Sequence, residues 1–163
     1  MTHTRNVDAL IAILRDPRRG LAVQDEAVRQ LARYAEEAIP PLIALLSDDD
    51  MGVRGRAAAA LGRCGARAIA PLRAALPGAA PLTRRGIALA LGLTRSARAV
   101  RPLVGLLADP DVETRRRAAI ALGWLGNDYA LDALTAALND EEGAVRAAAQ
   151  DALARIRREP RSP

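Results

Sequence analysis

The sequence predicts an all-α solenoid built from about five two-helix repeats. Three observations predict it: a phrase that recurs about every 31 residues, abundant alanine and leucine, and a near absence of aromatic side chains. Half of the 163 residues are hydrophobic, but only 2% are aromatic and phenylalanine is absent. Alanine costs no side-chain entropy in a helix, so it suits closely packed helices. We expect one domain over 1–163 that consists of stacked helix pairs.

The recurring phrase defines the register of the stack. Its leucines, separated by 30, 31 and 31 residues, are Leu42, Leu72, Leu103 and Leu134. Twelve residues after each leucine comes an arginine, and these ladder arginines are Arg54, Arg84, Arg115 and Arg146. Self-similarity at this period indicates that each unit is one supersecondary element of a stack. The predicted units cover residues 7–38, 39–68, 69–99, 100–130 and 131–158, with a tail over 159–163.

The first unit departs from this register. Its first helix is predicted from Val7 to Leu14, and the following loop is two residues longer than in the other units. Gln24 stands where the other units carry the ladder arginine. Terminal repeats are commonly atypical because one of their faces meets water. The first helix is apolar on more than one side, so either the tail covers it or a second copy packs on it; we expect a monomer.

In each later unit the pattern predicts a short helix A followed by a longer helix B. The second unit is expected to bury Leu42, Leu45 and Leu46 from helix A. Its helix B is expected to bury four residues on one face, Val53, Ala57, Leu61 and Cys64. Prolines are expected in the first turn of helix A, where a missing N–H is tolerated: Pro41, Pro71 and Pro102. Glycines near the end of helix B indicate close helix contact or a C-terminal cap: Gly62, Gly92 and Gly123.

An aspartate precedes the ladder arginine by six residues in three units, at Asp48, Asp109 and Asp140. We expect these side chains to cap helix B and to pair with the ladder arginines within or between units. Gly78 replaces the aspartate in the third unit, which is expected to leave Arg84 without its local partner. Calcium needs six to eight oxygens in a defined loop, and the spacing here does not match such a loop.

Two phrases carry a family resemblance: DDDMGVRGRAAAALGRCG at 48–65 and DPDVETRRRAAIALGWLG at 109–126. They resemble HEAT repeats, in particular the short bacterial variety named after the phycobilisome lyases. The resemblance covers residues 39–156 well and 7–38 less well. It implies a right-handed superhelix whose B helices line the concave surface. It implies little about function, because the family includes scaffolds, a few enzymes and nucleic-acid binders.

The candidate binding residues lie on helix B, at positions that the register places away from the buried stripe. Four of them are apolar in neighbouring units: Leu89, Leu93, Ile120 and Trp124. Five arginines surround these four residues: Arg56, Arg63, Arg85, Arg116 and Arg117. An aromatic anchor with aliphatic neighbours and an arginine rim is typical of a protein-binding hot spot. The alternative is that Trp124 fills a gap left by the many alanines.

The charge balance agrees with an acidic partner. The net charge is +5, and every basic residue except His3 is arginine. We therefore expect a cytoplasmic scaffold or adaptor that binds an acidic or amphipathic protein or peptide. The alternative is nucleic-acid binding through the arginines and Trp124, as the resemblance to HEAT-like DNA glycosylases implies. One aromatic residue is a poor stacking platform, and Asp25, Glu26 and Asp151 interrupt the basic surface.

Catalysis is not expected. His3 and Cys64 are the only residues of their types, so no His or Cys metal site can form and no base is available to activate the thiol. The His–Glu pairs of the similar HEAT-type hydroxylases are missing, and we expect no metal or cofactor. No apolar stretch reaches the ~18 residues of a membrane helix, and the first residues lack a signal-peptide pattern.

Overall fold

The protein is a stack of helix pairs, as the sequence predicted. The computed structural model describes residues 2–158, and every regular element in that range is helical. The α-helices are α1 Thr2–Arg15, α2 Leu21–Leu31, α3 Ala35–Ala44, α4 Met51–Arg63, α5 Ala66–Ala74, α6 Pro81–Leu93, α7 Val100–Leu106, α8 Val112–Leu125, α9 Leu131–Ala137 and α10 Gly143–Arg158. The predicted fold class, an all-α solenoid of about five two-helix repeats, is confirmed. Over the described range each helix is too short or too polar to cross a bilayer.

The helices form two layers. The odd-numbered helices are the A layer and the even-numbered helices are the B layer. From α4 to α10, neighbouring B helices pack extensively against one another, whereas neighbouring A helices meet over smaller areas. A stack whose units lie closer together on one side curves towards that side. The closer packing of the B helices therefore agrees with their expected place on the concave side of the stack.

The core consists of leucines and alanines at matching positions of each unit. The four register leucines of the A layer are fully buried, as are Leu61, Leu91 and Leu122 in the B layer. The buried residues predicted for the second unit are all at most 7% exposed, which confirms both helix faces there. A fully buried leucine contributes roughly 1.5–3 kcal/mol, so the repeated pattern supplies most of the apolar stabilisation.

Close approach of B helices explains the recurring glycines. A Cβ on Gly62 would lie 2.5 Å from the Cβ of Leu93, and one on Gly92 would lie 2.7 Å from the Cβ of Ala121. A Cβ on Gly123 would lie 2.9 Å from the Cα of Ala152. Each glycine therefore sits where the next B helix crosses. Of the two explanations the sequence allowed, close helix contact is the right one.

In the second and third units the start of helix A was predicted too late, whereas Pro102 lies in the first turn of α7, as predicted. Because α3 begins at Ala35 and α5 at Ala66, Pro41 and Pro71 lie inside these helices rather than in their first turns. A proline there removes one bond to the carbonyl four residues earlier. Those carbonyls belong to Glu37 and Arg67, both exposed, so water can replace the lost donor.

Several predicted boundaries also differ from the helix bounds. The unit limits at 38/39 and 68/69 fall inside α3 and α5. The first helix was predicted from Val7 to Leu14 but spans Thr2–Arg15, so His3 lies in α1. The unit limits themselves stay a prediction, and the tail predicted over 159–163 lies outside the described residues.

Candidate interaction surface

The ladder arginines bind the loop that connects helices A and B of their own unit. Nη1 of Arg54 donates to the carbonyls of Asp48 and Asp49 at 2.7 and 2.8 Å. Arg115 and Arg146 make the same two bonds in their units, and Arg84 makes one. In the first unit Nε2 of Gln24 donates to the carbonyl of Asp16 at 3.0 Å. The shared role of this position is to satisfy loop carbonyls, and glutamine can perform it.

The other edge of the guanidinium connects units. Nε and Nη2 of Arg84 donate to Asp109 of the next unit at 2.7 and 2.9 Å. Arg115 pairs in the same way with Asp140 at 2.8 and 3.0 Å. The bridge therefore runs from an arginine to the following loop. Arg84 has no local aspartate, as expected from Gly78, but Asp109 of the next unit serves as its partner. By the same register, the arginine whose partner position falls at Gly78 is Arg54.

The repeated aspartates do not cap helix B. The cap of α4 is Asp50, which accepts from the backbone N–H groups of Gly52 and Val53. The cap of α8 is Asp111, which accepts from the N–H of Thr114. Asp48 and Asp109 lie two residues earlier and accept from the N–H groups of these capping residues. They hold the loop in shape, as Asp140 does by accepting from the N–H of Glu142.

The four predicted apolar residues, which we call the apolar row, are half-buried at the edge of the core. Leu93 and Trp124 occupy equivalent positions of α6 and α8, and each lies on a glycine of the preceding B helix. Cε3 of Trp124 lies 3.0 Å from where a Cβ of Gly92 would be. The indole therefore packs against α6 and still keeps part of its surface accessible. The packing and the binding interpretations of Trp124 are compatible.

The predicted arginines are mostly held by the protein itself. Nε and Nη2 of Arg85 donate to Asp111 at 2.8 and 2.6 Å, and Arg116 and Arg117 both bind Glu113. Two further predicted residues differ from these. Arg56 donates to the carbonyl of Leu14, and Arg63 is exposed with no partner among residues 2–158.

The carboxylates of these ion pairs are ionised at neutral pH. The hydrogen bonds from Arg85 hold the pKa of Asp111 well below its usual range. Arg116 and then Arg117 lower the pKa of Glu113, even though its partial burial acts in the opposite direction. The three arginines at the edge of the apolar row are thereby each paired with an ionised carboxylate.

Three predicted residues line a pocket of about 280 Å³ between α4, α6 and α8: Arg85, Leu89 and Arg117. The remaining lining residues are Met51, Arg54, Gly55, Leu82 and Gly86. Gly86 is buried and lies against Leu46. The pocket therefore has apolar walls with three guanidinium groups around it.

Groups with catalytic or metal-binding chemistry are sparse over residues 2–158. No cluster of three or more His, Cys, Asp or Glu side chains in that range is placed to hold a metal ion. Cys64 is 3% exposed, and burial raises the pKa of its thiol. His3 lies on α1 against the ring of Tyr34, outside the pocket.

Comparisons with known proteins agree with this architecture. The human deoxyhypusine hydroxylase structure in complex with glycerol is similar over 95% of this chain and 75% of that one, with 23% identity and a TM-score of 0.61. The complex of CpcE and CpcF of phycocyanin lyase from Nostoc sp. PCC7120 is similar over 94% and 66%, with 25% identity and a TM-score of 0.59. A designed armadillo repeat protein in complex with the peptide (KR)4 is similar over 92% and 81%, with 22% identity and a TM-score of 0.54.

At the level of sequence, no curated protein matches this chain. The family model for HEAT repeats matches residues 7–79 and 69–154, which together cover most of its length. The chain belongs to the HEAT-repeat family.

Proposed function

We propose that this protein is a binding scaffold whose B-helix face takes an acidic, amphipathic segment of a partner protein. The observation that carries the proposal is that the apolar row remains accessible beside the 280 Å³ pocket. Leu89 and Leu93 lie one turn apart on α6, and Ile120 and Trp124 lie one turn apart on the adjacent α8. Together they offer a strip for the apolar side of the partner.

Charge supports an acidic partner. Six arginines lie on or beside this face: Arg54, Arg56, Arg63, Arg85, Arg116 and Arg117. Three carboxylates accompany them, Asp50, Asp111 and Glu113. The surface keeps a positive balance although several arginines are paired internally. An acidic segment would be attracted at low salt and would add bonds to guanidinium donors that are already oriented.

Two of the similar structures are themselves complexes, of CpcE with CpcF and of a designed repeat protein with a peptide. That peptide, (KR)4, is basic. We expect the opposite charge here because the residues at the proposed site are arginines. A nucleic acid fits less well, since three of these six arginines already bind carboxylates and the one indole is half-buried.

We propose no enzymatic activity. The hydroxylase and the lyase among the similar structures share the fold at 23–25% identity. This chain offers a buried thiol and one histidine outside the pocket. We further propose a cytoplasmic monomer, and light scattering on the purified protein tests its oligomeric state.

The function is tested by comparing two matched aromatic variants in affinity capture from the native host. Trp124→Leu removes the indole but keeps a side chain over Gly92, as Leu93 does over Gly62. We expect partner affinity to fall about tenfold or more, while the free energy of unfolding changes by less than about 1 kcal/mol. The control is Tyr129→Leu, which makes the same kind of change outside the apolar row, at an aromatic side chain that is 60% exposed and lies beside Arg101.

A prey protein that is lost with Trp124→Leu and retained with Tyr129→Leu supports the proposal. Retention of every prey by both variants contradicts it, as does equal loss with both. Capture of nucleic acid with a steep salt dependence would favour the alternative function.

A further inference from the structure

The loop between α5 and α6 lacks the carboxylates found in the other late loops. Residues 76–80 read Leu-Pro-Gly-Ala-Ala, whereas the equivalent segments contain Asp48–Asp50, Asp109–Asp111 and Asp140–Glu142. Gly78 replaces the aspartate that accepts the bridge from the preceding unit. Ala80 replaces the capping aspartate and makes no side-chain cap. The loop that follows α4 in the stack is therefore free of anionic groups.

This absence leaves one edge of Arg54 unpaired. Its Nη1 binds two carbonyls of its own loop, as Nη1 of Arg115 does. Because the guanidinium is planar, Nε and Nη2 then form the edge with which Arg84 and Arg115 hold a carboxylate. Among residues 2–158 no acceptor meets Nε or Nη2 of Arg54. A half-buried cation thus lacks the anion that its two counterparts hold.

Arg54 also lines the pocket described above. Apolar walls come from Met51, Leu82 and Leu89. Arg85 and Arg117 also line the pocket, but each of them is paired with a carboxylate. A volume of about 280 Å³ is just below the ~300–1,000 Å³ range of pockets for drug-sized ligands. The cavity is therefore suited to one or two side chains of a peptide rather than to a large cofactor.

We propose that Arg54 and this pocket form a carboxylate subsite, in which an Asp or Glu side chain of a partner takes the place of the missing ladder aspartate. The neighbouring apolar residue of the partner lies against Leu82 and Leu89. This rests on the proposed function and narrows it to one contact. The chain itself supplies the geometry twice, since Arg84 and Arg115 bind their aspartates through two parallel bonds of 2.7–3.0 Å.

Two capped tripeptides test the subsite: Ac-Leu-Asp-Leu-NH2 and its neutral counterpart Ac-Leu-Asn-Leu-NH2. Each is titrated into the full chain while the arginine Nε–Hε resonances are followed by NMR. We expect the Asp peptide to shift the Arg54 resonance saturably, with a dissociation constant on the order of 1 mM. The Asn peptide, which lacks the charge, is expected to bind about tenfold more weakly.

The informative variant is Arg54→Gln, because Gln24 shows that glutamine can hold the loop carbonyl at this position. Its matched control is Arg146→Gln. Arg146, in the fifth predicted unit, makes the same loop bonds, is exposed and does not line the pocket. We expect Arg54→Gln to abolish saturable binding of the Asp peptide, followed on backbone amides of α6, and Arg146→Gln to retain it.

Equal binding of both peptides overturns the subsite, and so does equal loss of binding with the two glutamine variants. An Arg54 resonance that does not move at about ten times the expected dissociation constant also overturns it. The outcomes separate the two proposals. If the Asp peptide binds through Arg54 but no captured protein depends on Trp124, the subsite is supported and the proposed scaffold function is contradicted. If a captured protein depends on Trp124 but the Asp peptide does not bind through Arg54, the scaffold function is supported and the subsite is contradicted.

Discussion

Arg115 joins three parts of the molecule through a single side chain. It donates from Nη1 to the carbonyls of Asp109 and Pro110 and from its other edge to Asp140 of the next unit. Its side chain is 9% exposed and that of Asp140 is 11% exposed. Water competes little for these groups, so the pair contributes more than an ion pair on the surface.

Replacing Arg115 with alanine therefore tests the ladder. The variant leaves two loop carbonyls without donors and a partly buried carboxylate without its counterion, and we expect the free energy of unfolding to fall by about 3 kcal/mol. Urea denaturation followed by circular dichroism measures the change. Arg146→Ala removes an exposed ladder arginine that forms no ion pair with another unit among residues 2–158, so its cost is expected to be about 1 kcal/mol or less. Similar losses for the two variants would show that the bridge between units contributes nothing.

At the scale of helices, the distance between neighbouring B helices depends on three glycines. Gly92 lies where α8 crosses α6, with the Cβ of Ala121 and the ring of Trp124 around its missing side chain. The Cβ and Cα of Ala121, at 2.7 and 3.2 Å, cannot rotate away from the added methyl group. The apolar row is positioned by this close approach, because Trp124 reaches across to α6 only at such a separation.

Gly92→Ala and Gly55→Ala form a matched pair of helix substitutions. Alanine improves helix propensity by about 1 kcal/mol at both positions. At Gly92 overpacking costs up to about 3 kcal/mol, so we expect a net loss of about 2 kcal/mol. At Gly55 nothing lies within 4 Å of the new Cβ, and we expect a gain of about 0.5–1 kcal/mol. Denaturant unfolding of both variants measures the difference, and a stabilising Gly92→Ala would contradict the close approach.

For the whole molecule, the repeat period was sufficient to predict the architecture. Leucines spaced by about 31 residues indicate which face each helix buries, and the same face is indicated at equivalent positions of neighbouring units. The repeat period did not predict which carboxylate binds the Nε and Nη2 edge of a ladder arginine. Spacing within a unit suggests a local aspartate, whereas the second edge of Arg84 faces a loop 25 residues later.

The surface was predictable only in part, for a similar reason. Glu113 lies three and four residues before Arg116 and Arg117, a spacing that indicates ion pairs on one helix, so this internal pairing could have been anticipated. The pairing of Arg85 with Asp111 crosses from one unit to the next, so the spacing of residues along one helix does not indicate it. The unpaired edge of Arg54 emerged only from comparing the units in three dimensions.

The ion pairs between and within units make the stability of the whole stack depend on pH. Neighbouring arginines lower the pKa values of Asp111, Glu113 and Asp140 in the folded state. The unfolded chain therefore binds more protons in acid, and the free energy of unfolding falls as the pH drops below about 5. Above that range the three carboxylates contribute their full stabilisation. Chemical denaturation between about pH 2 and 7 measures this dependence.

Asp111→Asn isolates one carboxylate, because asparagine can still cap α8 but cannot form the ion pair with Arg85. We expect a loss of about 1 kcal/mol near pH 7, since Arg85 is partly exposed. That loss should shrink as the pH falls, because protonation removes the same charge from the wild type. Asp25→Asn on the exposed face of α2 is the control, with no ion pair to lose among residues 2–158. The prediction is contradicted if the free energies of unfolding of Asp111→Asn and the wild type differ by the same amount at every pH down to about 2. The ionised carboxylate would then not contribute to holding α6 to the following loop.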